Sequence, residues 1–277
     1  MVDTREFAAQ VAFVTGSSRG MGRGIATHLA ALGSSVAVHG TTPTSARAFG
    51  EADSLEAVAR AIAAETGSTV VPVHGNLADP VAVTDVVRTI RAALGRIDIL
   101  VNCAGGDVGA AGTGALLGGR PSRNDALGIA LEDLQAVLAR NLMTCLFVCR
   151  EVAPEMIARK SGRIVNIGSL AGRAGVELGA IYATAKAAVH EYTRCLATQL
   201  RPYNVTVNAI APGEIVTPRF VASRAIDDAM LVEGGTLVRY GRPVEIARVV
   251  AFLASESAGY ISGQVIRVDG GRQCFPG

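Results

Sequence analysis

Short solid runs of apolar residues alternate along this chain with longer stretches in which apolar positions recur every three or four residues. The runs at 10–15, 35–39, 69–74, 97–102, 163–167, 205–210 and 264–268 read as strands, and the periodic stretches at 22–32, 54–66, 81–94, 131–158, 182–200 and 243–254 read as helices. The first three helices stop at Gly33, Gly67 and Gly95, and glycine is the residue best suited to end a helix. A strand that is apolar along its whole length is covered on both faces. Strands separated by helices at this spacing make βαβ units. The expected architecture is therefore α/β: a Rossmann-like, doubly wound parallel sheet in three α/β/α layers, with right-handed crossovers. No internal repeat, charge block or Pro/Ser linker divides the chain, and residues 1–277 are read as a single domain.

Two connections exceed what such units need. Residues 40–53 contain Thr-Thr-Pro-Thr-Ser, and residues 105–130 are rich in Gly and Ala around Arg120-Pro-Ser-Arg-Asn-Asp125. Both follow strand C-terminal ends, where open α/β sheets bind ligands. For the first, a surface excursion and a functional role weigh equally; for the second, function is favoured. Residues 216–235 form a third irregular stretch, a candidate substrate lid with Phe220, Val221, Met230 and Leu231 as either an apolar wall or simple packing.

Composition agrees with a buried sheet: 49% of residues are hydrophobic, 32 are Gly and none is Trp. A net charge of +2 points to neither nucleic acid nor a membrane surface as partner. No apolar run reaches membrane-spanning length, and the first residues lack a signal-peptide pattern, so a cytoplasmic location is expected. Cys103, Cys145, Cys149, Cys195 and Cys274 have neither disulfide nor metal-ligand spacing and read as reduced thiols. The four histidines are isolated, so no metal is expected.

Thr15-Gly-Ser-Ser-Arg-Gly-Met-Gly22 stands where the first strand meets the first helix. Gly16, Gly20 and Gly22 permit a tight turn and close approach of backbone to a pyrophosphate, while Ser18, Arg19 and Met21 complete the turn at a helix N-terminus rich in N–H donors. Nucleotide sites that take NAD usually carry an acid at the end of the second strand. Here that position reads His39-Gly40-Thr41-Thr42, with Arg19 opposite, a set that suits a 2′-phosphate and predicts NADP(H) over NAD(H).

Tyr182 and Lys186 lie four apart on a predicted helix and therefore on one face, with Ser169 at the end of the fifth apolar run. A nearby ammonium favours phenolate, and a phenol tuned in this way can exchange a proton with a reacting oxygen held by a serine. Alone, such a pair is a surface tyrosine and a solvated lysine.

In company with the glycine turn, the chain resembles the short-chain dehydrogenase/reductase family in its shorter single-domain form, from about Gln10 to Gly271. The motifs carrying the resemblance appear in order: the turn at 15–22, Asn76-Leu77, Asn102-Cys-Ala-Gly105, Asn141, Ser169, Tyr182-x-x-x-Lys186, and Pro212-Gly213 with Thr217. The resemblance implies Tyr182 as general acid/base, Lys186 as the group that holds the nicotinamide ribose and lowers the tyrosine pKa, and Ser169 as the residue that positions the substrate oxygen. It implies Asn141 as holder of a water in a proton relay to Lys186. Asn76 and Leu77 correspond to adenine contacts, and Asn102, Ala104 and Gly105 to positions beside the adenine ribose. Pro212, Gly213, Ile215 and Thr217 correspond to the segment packed on nicotinamide and phosphates. Cys103 replaces a second Asn common in the family.

The activity implied is hydride transfer between a nicotinamide and a carbonyl or secondary alcohol, most similar to 3-oxoacyl carrier-protein reductases. A polyol or sugar dehydrogenase is the alternative, and a catalytically silent nucleotide-binding scaffold the alternative outside enzymes. Lys160 falls where those reductases place a basic residue beside the cleft for an acidic carrier, but Tyr203 replaces another. Arg120, Arg123 and Asn124 are equally substrate ligands or solvated loop residues. The family and the apolar composition imply a homotetramer, with the tail at 272–277 reaching a neighbour.

Overall fold

The computed structural model describes residues 5–274; Met1–Thr4 and Phe275–Gly277, the end of the tail expected to meet a neighbour, lie outside them. Seven parallel strands form one sheet: β1 Val11–Val14, β2 Ser35–Gly40, β3 Val70–His74, β4 Ile99–Asn102, β5 Gly162–Ile167, β6 Val205–Pro212 and β7 Val265–Val268. Their order is β3-β2-β1-β4-β5-β6-β7, the doubly wound topology expected. The longer helices are α1 Gly20–Ala31, α2 Leu55–Thr66, α3 Pro80–Leu94, α4 Leu131–Leu138, α5 Thr144–Arg159 and α6 Ala180–Leu200. A short α7, Pro218–Ala222, and α8, Pro243–Ala254, complete the set.

Alternate residues of the inner strands feed two separate cores. Ala12, Val14, Ile99 and Val101 join Ile25, Leu29, Val58, Ile246 and Val250 beneath α1, α2 and α8. Phe13 and Leu100 point the other way, into Val83, Ile90, Val148, Val152 and Met156 beneath α3 and α5. The period of two along a strand thus explains why these runs are apolar throughout. Complete burial of a side chain such as Leu100 contributes about 1.5–3 kcal/mol. No helix among the described residues is long and apolar enough to cross a membrane.

The predicted helix over 131–158 is in fact two helices. A π-turn at Ala139–Met143 joins α4 to α5 and adds backbone between two otherwise regular apolar faces. Periodicity carries no mark of it, because apolar positions continue on both sides. The first long connection also has structure of its own, a 3₁₀ segment at Ser45–Gly50.

Strand order reverses between β1 and β4, and an open α/β sheet forms its crevice outside the C-terminal ends of the strands at such a point. Lys160 and Tyr203 precede β5 and β6, at the opposite edge of the sheet. The expectation that Lys160 flanks the cleft is therefore corrected: the chain must run the length of β5 before it reaches the crevice.

Candidate functional site

The crevice is one continuous cleft of about 1090 Å³. Its nucleotide-like end is built from backbone. Thr15 Oγ1 accepts from the amides of Cys103 and Ala104, each at 2.9 Å, and so ties the loop after β1 to the loop after β4. Gly16 has φ +67°, and a Cβ on it would lie 2.7 Å from Cα of Ala104. A Cβ on Gly22 would lie 2.4 Å from the Gly16 carbonyl oxygen. Only glycine fits either place. His39, buried at the end of β2, accepts from the Gly16 amide at Nδ1 (3.1 Å) and faces the Gly75 carbonyl through Nε2 (3.0 Å). Burial pushes its pKa down to about 4, so the ring is neutral and Nε2–H is the donor to Gly75. The cradle left by Gly16 and Gly22 at the N-terminus of α1 fits a dinucleotide pyrophosphate, because the first turn of a helix leaves its amides without intrahelical acceptors.

Arg19 is more engaged than its sequence position suggests. Its Nη1 donates to Ser45 O (2.7 Å), and its guanidinium lies 5.7 Å from the Phe49 ring centroid. Glu51, from the same connection, accepts from the Gly20 amide at 2.8 Å, while its other carboxylate oxygen is buried without a partner. Burial lowers the Arg19 pKa and Glu51 opposes that shift. The connection at 40–53 is thus packed into the cleft wall rather than looped into solvent.

At the other end, α6 presents Tyr182 and buried Lys186 on one face, with Lys186 Nζ 5.7 Å from the Tyr182 ring centroid. Lys186 Nζ donates to Ile167 O (2.8 Å), which docks the helix on the end of β5. Ser169, two residues on, caps a 3₁₀ turn over Leu170–Arg173 by accepting from the Ala171 amide (3.2 Å). Its hydroxyl hydrogen remains available to a ligand oxygen. Beneath the turn, His190 Nε2 accepts from the Ser169 amide at 3.4 Å. Burial first, then the cations Lys186, Arg173 and Arg194, push the His190 pKa down to about 4.

Of the predicted site residues, two lie off the cleft surface. Asn102 is buried and donates through Nδ2 to Asn166 Oδ1 (2.9 Å) and Cys149 Sγ (3.2 Å), so its side chain belongs to the core and not to a ribose site. Asn141, inside the π-turn, donates to Gly106 O (2.9 Å) and Val137 O (2.8 Å) and accepts from the Gly106 amide (2.8 Å). Both its N–H groups are committed to fixing the strand-to-insertion junction. All the others line the cleft: Gly16 and Ser18 to Gly22, Gly40 to Thr42, Asn76, Leu77, Ala104, Gly105, Ser169, Tyr182, Lys186, Pro212, Gly213, Ile215 and Thr217.

The insertion spends its own charges internally. Asp107 pairs with Arg120 (3.2 Å) and accepts from Asn124 Nδ2 (2.6 Å), and Arg123 faces Asp125 at 3.9 Å in solvent. Of the proposed lid's apolar residues, Phe220 is buried in edge-on contact with Tyr240 (5.1 Å), whereas Val221 and Leu231 are largely exposed. The cleft residues that sequence reasoning passed over are Glu51 and Arg219. Both are single charges in irregular segments, with no periodic or motif signal to mark them.

A sequence profile of the short chain dehydrogenase family matches residues 10–227. The chain is 37% identical to a cyclohexanol dehydrogenase of Rhodococcus sp. strain TK6, over 98% of each protein. It is 39% identical to a 3-oxoacyl-[acyl-carrier-protein] reductase of Synechocystis sp., over 96% of this chain and 98% of that one. Among solved structures it is similar to a 3-oxoacyl-[acyl-carrier protein] reductase with bound NAD from Brucella melitensis: TM-score 0.80, 26% identity, 98% of this chain and 94% of that chain covered.

Proposed function

We propose, from the premise that the chain belongs to the short-chain dehydrogenase family, that it is an NADP(H)-dependent oxidoreductase interconverting a ketone and a secondary alcohol. The observation that carries this reading is the placement of Tyr182, Lys186 and Ser169 in the same cleft as the glycine cradle at the start of α1.

The nicotinamide, when bound, is the donor or acceptor of hydride. The protein's part is binding, orientation and proton transfer. Ser169 Oγ, already accepting from Ala171, donates its hydrogen to the carbonyl oxygen. Tyr182 gives its phenolic proton to that oxygen in reduction and takes it back in oxidation. Lys186 keeps a cation beside the phenol and holds a ribose hydroxyl. Pro212, Gly213, Ile215 and Thr217 orient the ring against the sheet edge, and the 216–235 segment with the insertion keeps water out.

Support for NADP(H) is Arg19 facing Thr41 and Thr42 across the cleft, with no acid at the end of β2. Glu51 works against it by offsetting part of the Arg19 charge. The preference is tested by kcat/KM with NADPH against NADH; higher values with NADH overturn it. Ketone or 3-oxoacyl reduction is favoured as substrate chemistry, and a homotetramer in the cytoplasm as the working form. Light scattering that shows a stable monomer refutes the assembly.

Tyr182→Phe decides the main reading. It is expected to lower kcat by about a thousandfold, with cofactor dissociation constants unchanged to within about twofold. Turnover surviving in the variant removes Tyr182 from its role. Intact cofactor binding without turnover of any ketone or alcohol by the wild-type protein favours a silent scaffold.

A further inference from the structure

The substrate end of the cleft holds a cation that the reaction itself does not use. Arg219 projects from α7, donating through Nη2 to Asp107 O (2.6 Å) and through Nε to Gly118 O (3.1 Å). These are carbonyls, which orient a guanidinium without cancelling its charge. The nearest carboxylate, Asp107, is already held by Arg120 and Asn124. Glu214 is likewise held, by Arg224 and Arg272.

The third nitrogen, Nη1, has no partner among the described residues, and Arg219 lines the cleft. Its position relative to the reacting groups can be read off two adjacent glycines. A Cβ on Gly105 would lie 3.4 Å from Lys186 Nζ, and one on Gly106 would lie 3.4 Å from Arg219 Nη1. Lys186 and Arg219 therefore flank a single dipeptide, and the Arg219 charge is felt at the Tyr182 phenol. The side chain is also pre-set. Phe220 anchors α7 on Tyr240, and the two carbonyls fix the fork, so little order remains to be imposed when a ligand arrives.

We propose that the substrate carries a carboxylate, as a keto acid and hydroxy acid pair, and that Arg219 Nη1 and its neighbouring N–H hold that carboxylate while Tyr182 and Ser169 meet the carbonyl oxygen. This deepens the oxidoreductase reading and rests on it. The balance is that reading's own. Hydride from the reduced nicotinamide bonds to the keto carbon, the Tyr182 proton bonds to the oxygen, the carbonyl π bond breaks, and the carboxylate stays ionised throughout. The same fork could instead hold the cofactor's pyrophosphate, and the experiment separates the two anions.

Cyclohexanone and 4-oxocyclohexanecarboxylate differ only by the carboxylate. With the wild-type protein, kcat/KM is expected to be about tenfold or more higher for the acid. In R219M the ratio should collapse to near one, and in R219K it should fall between, because the charge survives and the fork does not. A wild-type ratio near one, or an unchanged ratio in R219M, overturns the proposal. So does a tenfold weaker NADP(H) complex in R219M with the ratio unchanged, which assigns Arg219 to the pyrophosphate. Calorimetric binding of 4-hydroxycyclohexanecarboxylate to the wild-type protein with NADP⁺ reads the site without turnover. Binding that R219M abolishes supports the carboxylate site even if neither ketone is reduced, an outcome that sinks the oxidoreductase reading alone. No binding overturns the carboxylate site.

Discussion

The two ends of the cleft are made of different materials. At the start of α1 the wall is backbone: glycines, amides and carbonyls crossed by one threonine hydroxyl, with no room for a Cβ at Gly16 or Gly22. Beyond Tyr182 the wall is charged side chains from irregular segments, paired with one another across Asp107, Arg120 and Asn124 or tied to carbonyls as Arg219 is. Backbone recognition suits a ligand part that never varies, because it cannot be altered without moving the main chain. Side-chain recognition can be rewritten one residue at a time. An invariant cofactor and a chain-specific substrate divide along that line.

The sharpest break in this contrast is Gly16→Ala. A left-handed φ and a 2.7 Å approach to Ala104 Cα leave no relaxed position for a methyl group. The variant should lose at least about 2 kcal/mol of stability in urea unfolding and bind NADP(H) more than about tenfold more weakly. A protein of normal stability with normal cofactor affinity would show that the backbone end is more pliant than described.

Next in size is an acid transition shared by both ends. His39 and His190 have folded pKa values of about 4 against an ordinary 6.5. Between those values the unfolded chain takes up protons that the folded chain refuses, so stability is full above pH 6.5 and declines as the pH falls toward 4. Each imidazole accounts for about 3 kcal/mol of that decline. Urea midpoints measured from pH 7.5 to 4.5 should fall, and His39→Gln should flatten the slope. A midpoint that holds steady over this range contradicts buried neutral histidines at both ends.

Glu51→Gln has a smaller effect, confined to the nucleotide end. Removing one carboxylate beside Arg19 should raise the NADPH-to-NADH ratio of kcat/KM by about threefold or more. A ratio that falls would instead make Glu51 an acceptor for a ribose hydroxyl. Arg123→Ala is the control at the other end. The side chain is 74% exposed, and the change should cost under about 0.5 kcal/mol and alter turnover less than about twofold. A large loss there would mean that the insertion's outer charges also meet substrate.

The same division of materials governs how much could be read from sequence. Strand and helix order, the glycine turn and the Tyr182–Lys186 pair were legible because each rests on a local rule: a period, a left-handed φ, a spacing of four. Asn102 followed its motif into the right loop, but the amide turned into the core toward Asn166, a choice made by a partner on β5 far along the chain. Arg120 and Asn124 looked like ligands until Asp107 claimed them. Arg219 and Glu51 could not be singled out at all, because an isolated charge acquires a role only from what folds against it.

The π-turn at Ala139–Met143 sets the phase of everything after it. One residue of an α-helix corresponds to about 100° of rotation. Deleting a single residue from this turn would restore continuous winding and spin α5 by about that angle, taking Val148, Val152 and Met156 off the sheet and carrying charged neighbours such as Arg150 toward it. A gain or loss in this one stretch of the gene would be felt as a repacking of a whole layer, whereas one of equal length among the exposed residues of the insertion would be absorbed where it fell.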